Sequence, residues 1–179
     1  RGIGVYSLNG AEIEDVLFQN ITIHTSPAWP FARPIHVDLR KFNECSRPGS
    51  IRNVRFSQVH CQTDGRILLT AMHGLRLSDI FLTDIHVDYR KQGVHDPEPG
   101  GRTAGGNQFS NANPDARAAR GVVVAENVEH LLVRGLSVRW PSVPPSFPVP
   151  VIWAKNVTGC HFEHPTAEPC GRAPAHIRA

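Results

Sequence analysis

The sequence predicts an all-β fold, a right-handed parallel β-helix (solenoid) of about five coils, on three observations. One short strand motif recurs five times along the 179 residues. A second apolar template follows each of its first four copies. Glycine and proline supply 15 residues each, more turn formers than long helices accept.

The first motif reads Gly2-Ile3-Gly4-Val5, Pro34-Ile35-His36-Val37, Arg66-Ile67-Leu68-Leu69, Gly121-Val122-Val123-Val124 and Pro150-Val151-Ile152-Trp153. Its copies start at residues 2, 34, 66, 121 and 150, steps of 32, 32, 55 and 29 positions. The second template places apolar residues at positions 0, +2, +5 and +7: Val16/Phe18/Ile21/Ile23, Val54/Phe56/Val59/Cys61, Ile80/Leu82/Ile85/Val87 and Leu131/Val133/Leu136/Val138. Alternation within each pair marks two short strands with one buried face. The odd step between the pairs requires a bend, expected at Asn20, Gln58, Asp84 and Gly135. Strands this short bury nothing alone. Stacked at about 4.8 Å, they pair in parallel around one continuous interior. An antiparallel sandwich needs no such template, and leucine-rich repeats have shorter periods.

Coils one to three run to about residue 91, with longer connections at 24–33 and 41–50. Residues 92–118 are polar, aperiodic and rich in Gly, Pro and Asn, so they read as a loop insertion into the single domain 1–179. Coil four covers 120–140, a proline-rich link follows, and the last coil spans 149–163 with a degraded template (Val157, Phe162). Residues 163–179, with Pro165, Pro169 and Pro174, are expected to add no ladder strand and to cover the C-terminal end. Nothing comparable covers coil one, so further coils are expected before Arg1 and the chain reads as a fragment.

A charged fraction of 20 % and 40 % apolar content describe a folded chain, not a disordered one. No apolar run reaches the roughly 20 residues of a membrane helix, and no basic cluster interleaves with aromatics, so neither membrane nor nucleic acid is an expected partner. Sixteen of the nineteen basic residues are arginine, whose planar guanidinium suits carboxylates on an acidic polymer or a plain solvated surface. Ten histidines include no H-x-x-x-H or H-E-x-x-H, so neither metal nor cofactor is expected. Cys45, Cys61, Cys160 and Cys170 form no C-x-x-C pair. A Cys160–Cys170 disulfide and a small buried hydrophobe at Cys61 are both open readings. The sequons at Asn20 and Asn156 coincide with the repeat's own corners.

Several segments carry a family resemblance. Arg1-Gly2-Ile3-Gly4-Val5-Tyr6-Ser7, then Val16-Leu17-Phe18-Gln19-Asn20-Ile21-Thr22-Ile23, resemble the RGI-R-I-K-T/S and V-x-F-x-N-I-T-M segments of family 28 glycoside hydrolases, the polygalacturonase-like enzymes with the pectin-lyase fold. Residues 34–40, 49–59 and 121–138 are similar to the C-terminal coils of bacterial members. The resemblance implies hydrolysis of galacturonan-type links with inversion, a polysaccharide partner, a monomeric full-length protein, and a secreted or periplasmic location. The family's N-T-D, D-D and G-H-G motifs, which supply the acid and base carboxylates, are absent. Thr63-Asp64-Gly65 and Met72-His73-Gly74 read as corner residues. No catalytic residue is therefore expected, and the isolated chain is expected to be inactive. Gly4 and Tyr6 stand where the family's R-I-K strand carries Arg and Lys, which points to a glycan other than plain galacturonate.

The candidate glycan-contacting residues are Tyr6, His36, Asp38 and Arg40, outward on one strand face if Ile35 and Val37 point inward, and Trp29 in the 24–33 connection, where it and Phe31 lie among prolines. Stacking is expected to align Tyr6, His36 or Asp38, and Leu68 or Thr70 into a polar column. The alternatives are a non-catalytic carbohydrate-binding or structural β-helix, and a pectate-lyase-like enzyme using calcium and an arginine base.

Overall fold

The structure is a computed structural model that describes residues 2–25, 33–90, 113–141, 149–163, 165–167 and 177–178. Its strands are β1 (Ile3–Ser7), β2 (Glu12–His24), β3 (Ile35–Leu39), β4 (Ser50–Thr63), β5 (Ile67–Ala71), β6 (Leu77–Tyr89), β7 (Val123–Arg134), β8 (Ser137–Arg139), β9 (Ile152–Thr158), β10 (His161–Glu163), β11 (Thr166–Ala167) and β12 (Ile177–Arg178). One short helix, α1 (Pro114–Ala118), precedes β7.

All described strand pairs are parallel, and they join into one twelve-stranded sheet. Two rows organise it. The first runs β1-β3-β5-β7-β9, and the second runs β2-β4-β6 and then the later part of β7 with β8. The expectation of an all-β, parallel, layered chain is met, because each strand pairs with its sequence equivalent one repeat on. Val16 pairs Val54, which pairs Ile80, which pairs Leu131. Phe18, Phe56, Leu82 and Val133 form the next row of partners, and the Phe18 and Phe56 rings stack at 5.1 Å and 8°.

The bends fall where the odd spacing requires them. Asn20, Gln58 and Asp84 have φ of 57°, 55° and 54°, and Gly135 follows at 63°. The left-handed conformation turns the chain within one residue, and Asn and Gly adopt it at least cost. A second left-handed column, Asp15, Asn53, Asp79, His130 and Gly159, lies five residues earlier at each of its first four members. It adds a further inward position, so Ile51, Leu77 and Val128 stack beneath Ile13.

Three expectations are corrected. In the fourth copy of the first motif Ile67 pairs Val123, one residue later than the repeat alignment places it, while the fifth copy keeps its aligned register to the fourth, Val123 to Ile152. Val122, Val123 and Val124 are all apolar, so alternation cannot fix which of them faces inward. The degraded template is displaced further: Val157 pairs Val128 and Phe162 pairs Val133, three residues before Leu131 and Leu136. The C-terminal segment does add ladder strands, since β11 pairs β8 and β12 pairs β9. Its prolines flank these two-residue strands, so no ladder N–H is lost. Of the 92–118 insertion, residues 113–118 are described and its end is the helix α1; the rest lies outside the described residues.

The interior is apolar through the middle layers. Ile51, Val54, Phe56, Leu77, Ile80, Leu82 and Leu131 are at most 1 % exposed. At both ends it is thinner: Val16, Phe18 and Ile21 in β2, and Val157 and Phe162 in β9 and β10, are only half-buried. Cys61 is buried in this core, as its apolar reading expects.

Candidate functional site

The outer face of the first row carries two columns. Gly4, His36, Leu68, Val124 and Trp153 stand in register, and beside them Tyr6, Asp38, Thr70, Glu126 and Lys155. Four of the five expected site residues therefore meet: Tyr6, His36 and Asp38 on this face, and Arg40 just past the end of β3. Trp29 lies outside the described residues.

Their exposure differs from the expected solvated floor. His36 and Asp38 are 4 % and 5 % exposed, and Thr70 and Glu126 are similarly covered. A layer lies over this face. Ala116 of α1 packs on Leu68 and Val124 as a second small apolar cluster, and Ala116 N–H donates to Glu126 Oε2 at 3.2 Å. The Arg66 guanidinium, fully buried, donates to the carbonyls of Ala119 and Arg117 at the end of the helix. Lys155 pairs with Asp115 and stands 3.7 Å from Glu126 Oε1. Such a cover comes from a segment with no apolar period, so strand alternation carries no trace of it.

Burial divides the four residues into two pairs. The Tyr6 hydroxyl lies 3.0 Å from His36 Nδ1, with the rings edge to face at 5.0 Å. Arg33 Nη1 lies 3.4 Å from the same imidazole. Asp38 accepts from Thr70 Oγ1 at 3.2 Å and pairs with Arg40 Nε at 3.0 Å. That last contact is close in distance but off-line for a hydrogen bond, so it is an ion pair by charge rather than by direction. His36 and Asp38 are enclosed, while Tyr6 and Arg40 are half-buried at the rim.

The electrostatics of Asp38 follow from this enclosure. Burial pushes its carboxyl up, and the nearby charges of Arg40, Arg117 and Arg33 with the Thr70 hydrogen bond pull it back only in part. One carboxyl thus sits amid three guanidinium groups. The local balance is cationic, although Gly4 and Tyr6 replace the cations that the resemblance leads one to seek on β1.

The second row has its own outer face. A shallow groove of about 470 Å³ runs along it past Leu17, Arg55, Phe81 and Arg134. The Arg55 guanidinium lies 4.4 Å above the Phe81 ring, so the exposed aromatic face already has a partner. Farther along the strands the fold brings together His60, His86 and Asp88, whose ligating atoms all lie within 4.8 Å. Asp88 is buried, with Arg139 paired to its Oδ2 at 2.6 Å. Its burial raises the carboxyl, but hydrogen bonds from His60 and Arg139 and the charges of His86 and Arg139 outweigh that and hold it below the usual carboxylate value. Sequence spacing missed this cluster, because 26 residues separate His60 from His86 and only the strand register joins them. The one local signal is His86-Val87-Asp88, two polar residues on one strand face.

Cys45, Cys61 and Cys160 are free thiols in this structure, and the Cys160–Cys170 pairing is untested because its second member is not among the described residues. Cys160 falls in the turn between β9 and β10. No protein-family model, curated protein or solved structure matches the chain.

Proposed function

We propose that this chain forms C-terminal coils of a right-handed parallel β-helix in a secreted or periplasmic, polysaccharide-active protein resembling the polygalacturonases, and that the outer face of its first row contacts an acidic glycan. One observation carries the reading: an in-register polar column, Tyr6 to Lys155, crosses five stacked strands, with the cationic Tyr6–Arg40 rim at its open end. The polymer meets the column at the half-buried Tyr6–Arg40 rim, since α1 covers the Leu68 and Val124 layers. Asp38 and Glu126 are each enclosed by cations or main-chain donors, so the reading gives this chain binding rather than bond cleavage.

Affinity electrophoresis of the chain in gels containing rhamnogalacturonan, an acidic polymer other than plain galacturonate, with neutral galactan as the control, tests it. The acidic polymer should retard the chain, and Arg40→Ala and Tyr6→Ala should each weaken that retardation by about tenfold, as loss of one charge-assisted contact does. Equal retardation by both polymers, or no change in either variant, refutes the assignment.

A further inference from the structure

We propose that His60, His86 and Asp88 form a binding site for one borderline divalent cation, of which zinc is the type, on the outer face of the second row. This inference does not rest on the polysaccharide reading. His60 and His86 are register partners on β4 and β6, with ring centroids 4.9 Å apart. Asp88, two residues beyond His86 on the same strand face, lies between them. Its Oδ2 is 2.9 Å from His60 Nε2, and its Oδ1 is 2.9 Å from His86 Nε2. Two imidazole nitrogens and a carboxylate are a donor set that zinc, copper and nickel prefer to magnesium or calcium.

The surroundings orient the donors. His86 turns Nδ1 to the Ser137 hydroxyl in the next layer, leaving Nε2 to face the shared centre. A metal-binding imidazole commonly has its second nitrogen held in this way. Ligands on a tetrahedral ion at about 2.1 Å stand about 3.4 Å apart. The two imidazoles, 40 % and 42 % exposed, have solvent on one side into which they can turn toward that spacing. The same exposure leaves a coordination position open to water or to an oxygen ligand.

Arg139 is the competitor. Its Nη2 lies 2.6 Å from Asp88 Oδ2, but its side chain is 62 % exposed and can leave into solvent at small cost. A bound dication takes over the neutralisation of Asp88 that Arg139 supplies. A plain ion-pair cluster and a metal site therefore differ in their response to losing this arginine.

The test is calorimetric titration of the chelator-washed chain with zinc chloride, in a Cys45→Ser background that removes the exposed thiol. One zinc per chain should bind saturably. His86→Ala and Asp88→Asn should abolish that binding, Ser137→Ala should weaken it by about tenfold, and Arg139→Ala should tighten it. Far-UV circular dichroism checks that each variant is folded. Should His86→Ala unfold, copper(II) bound at one equivalent to the unsubstituted chain should show coupling to two imidazole nitrogens by electron paramagnetic resonance. No saturable binding at millimolar zinc, binding indifferent to His86 and Asp88, or a copper spectrum without two-nitrogen coupling overturns the proposal.

Discussion

The Arg66 guanidinium donates to the carbonyl oxygen of Arg117 at 2.9 Å, tying the turn before β5 to the last turn of the only helix described. Arg66 is fully buried and also donates to the Ala119 carbonyl. These carbonyls end a helix, where the helix itself supplies no N–H to meet them and where positive charge is favoured.

Replacing Arg66 by Ala should therefore cost about 3 kcal/mol, the scale of lost hydrogen bonds to a charged group. Arg66→Lys should recover less than half, because an ammonium cannot span two carbonyls with the geometry of the planar fork. Urea denaturation checks both. A loss below about 0.5 kcal/mol for Arg66→Ala, the scale of ordinary surface changes, would mean that the helix is held by Ala116 packing alone.

Asp38 gives a pH dependence with a definite sign. Its folded carboxyl titrates above the ordinary value of 3.8 because it is buried. Its contribution to stability is fully present below that ordinary value and is lost as pH rises through the raised one. Asp38→Asn stays uncharged throughout. The unfolding free energy of the variant relative to the unsubstituted chain should therefore improve from about pH 3.5 toward neutrality, then level off. Urea titrations at several pH values read this directly, and a difference that stays constant or falls with pH would contradict it.

Gly135 occupies the bend column at φ 63°, where a Cβ would also meet Asp84 Oδ1 at 2.5 Å. Gly135→Ala should destabilise by about 1–2 kcal/mol, the cost of left-handed backbone for an L residue. Asn20→Gly in the same column should change stability by less than about 1 kcal/mol, since glycine accepts that conformation but loses more chain entropy on folding. Thermal unfolding of the pair separates a conformational bend from one held by its side chain.

The thiols should react in order of burial. Cys45 is exposed, whereas Cys61 is fully buried with its thiol pushed up to about 12. Because the thiolate is the reactive species, maleimide at pH 8 should modify Cys45 rapidly and Cys61 only after urea unfolding. Peptide mapping of the labelled chain reads the sites. Early labelling of Cys61 would place it outside the core.

Much of the fold was legible because its repeat is written in side-chain volume. The Val16-to-Ile23 spacing named both the buried face and the bend at Asn20, and each of its equivalents takes its expected place through Leu131. Legibility failed where alternation stops. The valines at 122–124 leave the register to tertiary pairing, so the fourth copy slips by one residue. The site was legible as a group, since Tyr6, His36, Asp38 and Arg40 do converge. Its burial was not, because α1 covers it from a segment that shares no period with the strands. The histidine cluster was the least legible. Its members become neighbours only through β4–β6 pairing, which no local spacing encodes.

The ladder between layers has a dynamic consequence. Each layer is held chiefly by the one above and the one below, and the apolar filling thins toward Phe18 on one side and Phe162 on the other. Such a column should fray from its ends inward. Amide hydrogen exchange should grade accordingly, slowest at Phe56 and Leu82 and fastest at Ile21 and Val157. Whatever ligand clasps several layers at once will slow that unravelling before it alters any single contact.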